Sequence, residues 1–186
     1  MKKLLILLAL FFCFTQSSHA LMTEVGLSYS YQKKRFNATN GYQTESKSAS
    51  VSFYFLERLA LELGYTDGFY ESEENDGTTQ RTVQQASKIA DASLIIILLG
   101  KKSFLQPYIK GGAAYIEKEQ TIKLLNASPI PIPKSSGWGP SYGAGIKFAL
   151  SERFSIRVGY DVWQTPLGDG SKSDDSALKA GITWYL

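Results

Sequence analysis

Eight charged residues hold most of the chemistry in this sequence: Glu24, Glu62, Asp91, Lys110, Lys147, Arg157, Asp161 and Lys179. Each stands where apolar and polar residues alternate, on the side opposite the apolar ones, and they divide into four acids and four bases. Charges buried together can neutralise one another and avoid most of the cost of a lone buried charge. The set therefore predicts an interior salt-bridge network, without saying which acid meets which base. Catalysis has less to work with. A serine hydrolase needs an imidazole to take the serine proton, and the one histidine and one cysteine, His19 and Cys13, lie close to the start of the chain. Thiol chemistry and His/Cys metal sites fail for the same reason. The acidic run ESEEND at 71–76 offers oxygen ligands for a loose Ca²⁺ or Mg²⁺ contact, but it lacks EF-hand spacing and reads more simply as a solvated tip. No enzyme activity, cofactor or metal site is expected.

Lys2 and Lys3 precede an apolar run at 4–14, followed by polar residues and a small-x-small site at Ser18, His19 and Ala20. This is the pattern of a secretory signal peptide, cleaved after Ala20. The run is too short for a membrane anchor, which needs about 20 apolar residues. Cys13 lies inside the run behind Phe11 and Phe12, unlike a lipoprotein cysteine. Cleavage leaves residues 21–186 as one domain. It holds no cysteine, so packing and backbone hydrogen bonds alone must support it. Losing Lys2 and Lys3 leaves 18 bases against 17 acids, a balance that gives no reason to expect nucleic acid as a partner.

No later stretch suits a membrane helix: the nearest candidate, LIIILL at 94–99, is stopped by Gly100, Lys101 and Lys102. Period-two alternation instead recurs about eight times. Leu27, Tyr29 and Tyr31 oppose Gly26, Ser28 and Ser30; Val51 and Phe53 oppose Ser50 and Ser52; Ile156, Val158 and Tyr160 oppose Arg157, Gly159 and Asp161. The segment around 90–98 is the least clean. Connections alternate too. Glu57 and Arg58 form a two-residue hairpin, and residues 100–103 and 151–153 are also short, whereas 36–44, 67–82, 119–137 and 164–176 are long and polar or rich in Gly, Pro and Ser. The expectation is an all-β, eight-stranded, antiparallel up-and-down transmembrane β-barrel, with short turns in the periplasm and four long external loops.

A soluble sandwich or lipocalin-like barrel would also alternate, with its apolar face inward. Three features favour the reverse. The polar face is crowded with Gly and Ser, which suit a narrow lumen better than a solvated exterior. The aromatics sort by height into two girdles around a lipid-facing band: Tyr29, Tyr31, Tyr65, Tyr115, Tyr142 and Tyr160 lie at the long-loop ends, and Phe53, Phe55, Phe148, Phe154 and Trp184 at the short-turn ends. The balanced charges of the opening set complete the case.

Two outer segments could bind. Lys33, Lys34 and Arg35 could contact lipopolysaccharide phosphates through charge-assisted hydrogen bonds, or be an ordinary charged strand exit. Leu124, Leu125, the run PIPIP at 129–133 and Trp138 form an apolar connection. It reads as an adhesive patch, a lid over the mouth, or packing against other loops.

The chain resembles the small eight-stranded outer-membrane barrels of Gram-negative bacteria, the OmpA/OmpX-like group, across residues 21–186 as architecture and most specifically at QPYIKGGAAY (106–115), SERFSIRVGY (151–160) and KAGITWYL (179–186). The resemblance implies that Lys179, Gly181, Trp184 and Leu186 are read by the barrel-inserting machinery, Leu186 departing from the aromatic usual at that place. It implies a monomer among outer-membrane lipid and lipopolysaccharide, stabilising the envelope or presenting its loops in an adhesin-like way, with no surface ligand specified. The competing reading is an OmpW-like narrow channel for small or apolar solutes. Eight strands leave a lumen that side chains can fill, which favours the closed form.

Overall fold

The computed structural model describes residues 22–37, 39–75, 79–100, 103–125, 127–166 and 172–186. The expected leader at 1–20, with Cys13 and His19, lies outside these residues, as do Asp76 of the acidic run and Lys101 and Lys102. Eight strands follow in order: β1 (Met22–Arg35), β2 (Gly41–Leu56), β3 (Leu59–Asn75), β4 (Gln80–Ile97), β5 (Leu105–Leu124), β6 (Ile130–Ala149), β7 (Phe154–Pro166) and β8 (Lys172–Tyr185). Each pairs antiparallel with the next, and β8 closes on β1 from Glu24 opposite Tyr185 to Tyr29 opposite Ala180. Closure leaves no open edge in the hydrocarbon, where unpaired backbone groups have no partner. It reaches the end of the chain, since Leu186 N–H donates to the Thr23 carbonyl at 2.9 Å.

The short turns match the alternation. Glu57 and Arg58 join β2 to β3 beside a bulge at Tyr54 and Leu56. The Ser151 hydroxyl accepts the Arg153 and Phe154 N–H groups at 3.3 and 3.1 Å before β7.

The long connections are a correction. Most of the residues read as external loops are strand: β2 begins at Gly41, β3 runs to Asn75, β4 begins at Gln80, β5 runs to Leu124, β6 begins at Ile130, β7 runs to Pro166 and β8 begins at Lys172. The physical reason is that hydrophobic periodicity marks a strand only where one face meets lipid and the other protein. Beyond the membrane both faces meet water or each other, and the pattern fades while the hydrogen-bond ladder continues. Five of the acidic run's residues and most of the PIPIP segment thus lie in β3 and β6. Pairing of β6 with β7 starts only at Ser141 opposite Trp163. Pro131 and Pro133 therefore occupy a stretch with one unpaired edge, where a missing N–H is tolerated and further strand addition is discouraged.

The register climbs around the barrel. From Glu24 it passes through Ser52, Glu62, Ser93, Gly112, Ser141 and Trp163 to Asp175. The β1–β8 register, extended, returns it to β1 at Lys34, ten residues above its start. Strands are thus steeply tilted, and residues on distant strands meet at one height across the lumen.

Leu27, Leu63, Ile109, Ile146, Val158 and Ile182 point outward and stay exposed in the bare chain. The buried side chains are mostly polar, and Glu24 and Glu62 are each 2 % exposed. Apolar side chains outside and charged ones inside is the arrangement that lipid selects.

Candidate functional site

The lumen is layered. At the periplasmic end Tyr54, Ala60, Ile95, Ile97 and Tyr108 pack together with Met22 and Tyr185. Toward the outside Ile89, Ala114, Ile116 and Trp163 pack with Ala177. All eight charged residues lie between or against these layers, and seven of them are ion-paired.

Lys147 donates to Glu24 Oε1 at 2.7 Å and to the Tyr54 and Tyr185 hydroxyls at 2.9 and 3.1 Å, while the Tyr54 hydroxyl donates to Glu24 Oε2 at 2.6 Å. Farther out, Glu62 is the hub. It is gripped by the Arg157 guanidinium and bonded by Lys110 at 3.1 Å, and Ser52 donates to it at 3.3 Å. Lys110 continues to Asp161 at 3.0 Å, and Asp161 to Lys179 at 3.2 Å. The bases also tie into the apolar layers through aromatic faces. Lys179 lies 4.5 Å from the Trp163 ring centroid, Arg157 4.5 Å from that of Tyr108, and Lys147 5.2 Å from that of Tyr185. Such cation–π contacts strengthen when desolvated.

Asp91 stands apart. It makes no ion pair among the described residues and accepts one hydrogen bond, from Ser93 at 3.3 Å. Its carboxylate lies over Gly64, where any Cβ would collide with it. It borders a cavity of about 40 Å³ between the charged wall and a wall of small residues that includes Ser48, Ser50, Gly64 and Gly181. That is room for roughly two waters.

Sequence reasoning missed the two apolar layers. The signal was present in β4, where Ile89, Ile95 and Ile97 face inward while Leu94 and Ile96 face outward. A strand apolar on both faces loses its alternation, and for that reason segment 90–98 read poorly. Tyr108 shows how tightly the inner layer is fitted. Its ring lies across Gly145 and Gly159, neighbours in register, and a Cβ on either glycine would strike the Tyr108 hydroxyl. Gly159→Ala is expected to cost roughly 1–3 kcal/mol from overpacking. Denaturant unfolding should show a smaller cost for the same change when Tyr108 is already alanine.

At the outer rim, β1 alternation splits the basic triplet. Lys33 and Arg35 lie on the face of Tyr29 and Tyr31, whereas Lys34 lies on the inward face, with its ammonium 5.2 Å from the Phe36 ring centroid. The three share a recess of about 90 Å³ with Asn37, Thr39, Glu71 and Glu73, so two carboxylates sit beside the bases. Glu71 accepts a hydrogen bond from Gln84. Among the described residues no three acids, histidines or cysteines are placed to hold a metal. Of the terminal residues, Lys179 is inside the charged cluster, Gly181 lies against Ser28, and Trp184 and Leu186 are exposed.

Comparison with known proteins agrees with this geometry. The family model described as outer membrane protein beta-barrel domain matches residues 4–185. Among solved structures, the N-terminal β-barrel domain of Pseudomonas aeruginosa OprF is similar over 89 % of this chain and 97 % of that one, at 14 % identity and a TM-score of 0.55. OprG of the same organism is similar over 89 % and 95 %, at 13 % and 0.56. Ail, the attachment invasion locus protein of Yersinia pestis, solved with the heparin analogue sucrose octasulfate, is similar over 89 % and 99 %, at 11 % and 0.56. No curated protein matches in sequence. At these identities the solved structures speak to the fold alone.

Proposed function

Because the chain belongs to the outer membrane protein beta-barrel domain family, integral proteins of the bacterial outer membrane, we propose that it acts without catalysis, as a closed barrel that carries an interaction surface on its extended outer strands. The observation that supports closure is the pair of apolar layers above and below the ion-paired cluster. A conducting lumen needs a continuous wet path, and here the polar space of about 40 Å³ lies between Tyr108 and Trp163. The surface role rests on β2 to β6, which continue well beyond the lipid-facing band.

On this reading the outer leaflet is the barrel's first partner. Lys33 and Arg35 face it and offer charge-assisted hydrogen bonds to lipopolysaccharide phosphate, while Lys34 turns inward. Lys179, Gly181, Trp184 and Leu186 serve the barrel-inserting machinery before β8 closes on β1, after which Lys179 joins Asp161. The alternative, a narrow channel for small or apolar solutes, predicts a measurable difference. Purified protein in planar bilayers is expected to show no discrete conductance steps. Reproducible steps at low voltage would overturn the closed-barrel reading.

A further inference from the structure

The β1–β8 ladder ends at Tyr29 opposite Ala180, although both strands continue outward. β1 stays paired with β2 as far as Arg35 opposite Gly41, and β8 with β7 as far as Lys172 opposite Pro166. On its other flank β7 parts from β6 beyond Trp163 opposite Ser141. Above these points the β7–β8 hairpin has, among the described residues, no backbone ladder to the rest of the wall on either side. An ion pair ties it across the lumen instead: Lys118 of β5 meets Asp175 of β8, which also accepts the Thr165 hydroxyl from its own hairpin. Lys118 and Thr165 are both buried.

The two free edges match. Continued without a shift, the β1–β8 register sets Tyr31 against Leu178, Gln32 against Ala177, Lys33 against Ser176, Lys34 against Asp175 and Arg35 against Asp174. Tyr31 and Leu178, 52 % and 65 % exposed on the outward face, would cover one another, and each of the last two pairs would set opposite charges face to face. A slip of two residues, which keeps the faces, would put Arg35 opposite Lys172 or Ser176, and Lys34 opposite Ser173 or Ala177. The unshifted register alone pairs both charges. Lys34, Arg35 and Asp174 make no ion pair among the described residues. Of the acids on β3, Glu73 stands across Gly41 from Arg35 and Glu74 stands opposite Arg81, and neither bridges Lys34 or Arg35.

Asp175 thus has two partners on opposite walls, since β1 and β5 lie four strands apart in a ring of eight. Moving β8 onto β1 would carry its carboxylate away from Lys118, so the two contacts exclude one another. We propose that the outer β7–β8 hairpin is a two-position flap, latched across the lumen by Lys118–Asp175 in the position seen here and zipped onto β1 by Lys34–Asp175 and Arg35–Asp174 in the other. Latched, it leaves a notch in the wall above Tyr29 and Ala180. Zipped, it makes the wall continuous as far as Arg35 and frees Lys118 toward the mouth of the lumen. The flap goes beyond the closed-barrel reading and leaves it intact, because the inner layer around Tyr54 and Tyr108 lies below the hinge in both positions.

The test is disulfide trapping in the full barrel, held one per nanodisc; residues 21–186 contain no cysteine of their own. Because Leu186 N–H donates to the Thr23 carbonyl, Gln32 and Ala177 would form a non-hydrogen-bonded pair in the zipped position, with Cα atoms about 4.5 Å apart and within disulfide reach. Gln32→Cys/Ala177→Cys is expected to cross-link under mild oxidation with all the charges in place. Adding Asp174→Asn should slow the reaction about two- to fivefold, the range for one exposed ion pair. Arg35→Asp should slow it too, and Arg35→Asp/Asp174→Arg should restore it. Lys118→Gln, which breaks the latch, should speed it. Spin labels at Lys33→Cys and Ser176→Cys should show a dipolar-broadened fraction that grows in Lys118→Gln. Equal denaturant midpoints would show that the variants remain folded. A rate indifferent to Lys118, Arg35 and Asp174 would overturn the inference, as would equally fast linking of the slipped pair Ser30→Cys/Ala177→Cys. So would the absence of both cross-link and broadened fraction in every variant. Cross-links that form only between barrels in crowded vesicles would also overturn it, by giving the two edges to a second copy.

Discussion

Glu62→Ala is expected to remove about 3–5 kcal/mol of folding free energy, the range for breaking one partner out of a buried ion pair. The size follows from what stays behind. Glu62 is held by Arg157, Lys110 and Ser52. Without it Arg157 keeps only the Tyr108 hydroxyl at 2.8 Å, and Lys110 keeps only Asp161. Lys110 and Lys179 would then share Asp161, and Arg157 would keep no carboxylate partner, between the two apolar layers of the lumen. A second substitution sharpens the test. In Glu62→Ala/Arg157→Met the unpaired guanidinium is gone, and the double variant should be more stable than Glu62→Ala alone, because apolar replacement of a whole buried pair is often close to neutral. Asp91→Asn, outside the ion-paired chain, should change stability by less than about 1 kcal/mol. Urea unfolding in lipid vesicles measures all three. A cost under 1 kcal/mol for Glu62→Ala would mean that the cluster does not hold the barrel together.

Arginine at Ile146 or Val158 should cost about 2–4 kcal/mol, the range for a charge on the lipid face at the membrane midplane. The two residues are paired directly across β6 and β7 and both face outward, 37 % and 38 % exposed in the bare chain. On β6 Ile146 lies two residues from Phe148 near the periplasmic turn and four from Tyr142 in the outer girdle, so a guanidinium there sits between the two girdles, within the lipid-facing band. The same substitution at Tyr29, itself a girdle residue, should cost only about 0–1 kcal/mol. A flat profile across the three positions would contradict the assignment of the outward face to lipid.

The membrane-crossing part of the fold was legible because lipid imposes a strict rule on it. Val158 out and Gly159 in, or Val51 out and Ser52 in, follow from period two alone once the apolar face is given to lipid. The outer halves of β3 to β6 were not legible, since Glu71 and Gln84 answer to water on both sides and carry no apolar phase. The eight interior charges could be named from sequence, but their partners could not. Glu24 meets Lys147 and Glu62 meets Arg157 across the lumen, contacts fixed by strand tilt and register that no single strand reveals. The same limit hid the isolation of Asp91, which depends on Gly64 from the neighbouring strand. The apolar layers were obscured by chemistry, because Tyr54, Tyr108 and Trp163 fall on the face read as polar, and an aromatic with a polar edge suits either reading. The basic triplet reads as one patch in the sequence, although neighbouring residues on a strand point to opposite faces.

The claim on which the rest depends is that Ala49 faces lipid while Ser50, its neighbour in β2, faces a closed interior. Cysteine at each position, in barrels folded into vesicles, tests both halves at once with a charged, membrane-impermeant thiol reagent and a lipid-soluble maleimide. The account predicts that Ala49→Cys reacts with the maleimide alone, and that Ser50→Cys reacts with the charged reagent only after unfolding. Rapid labelling of folded Ser50→Cys by the charged reagent would show an open lumen, and labelling of Ala49→Cys by it would show that the faces are reversed.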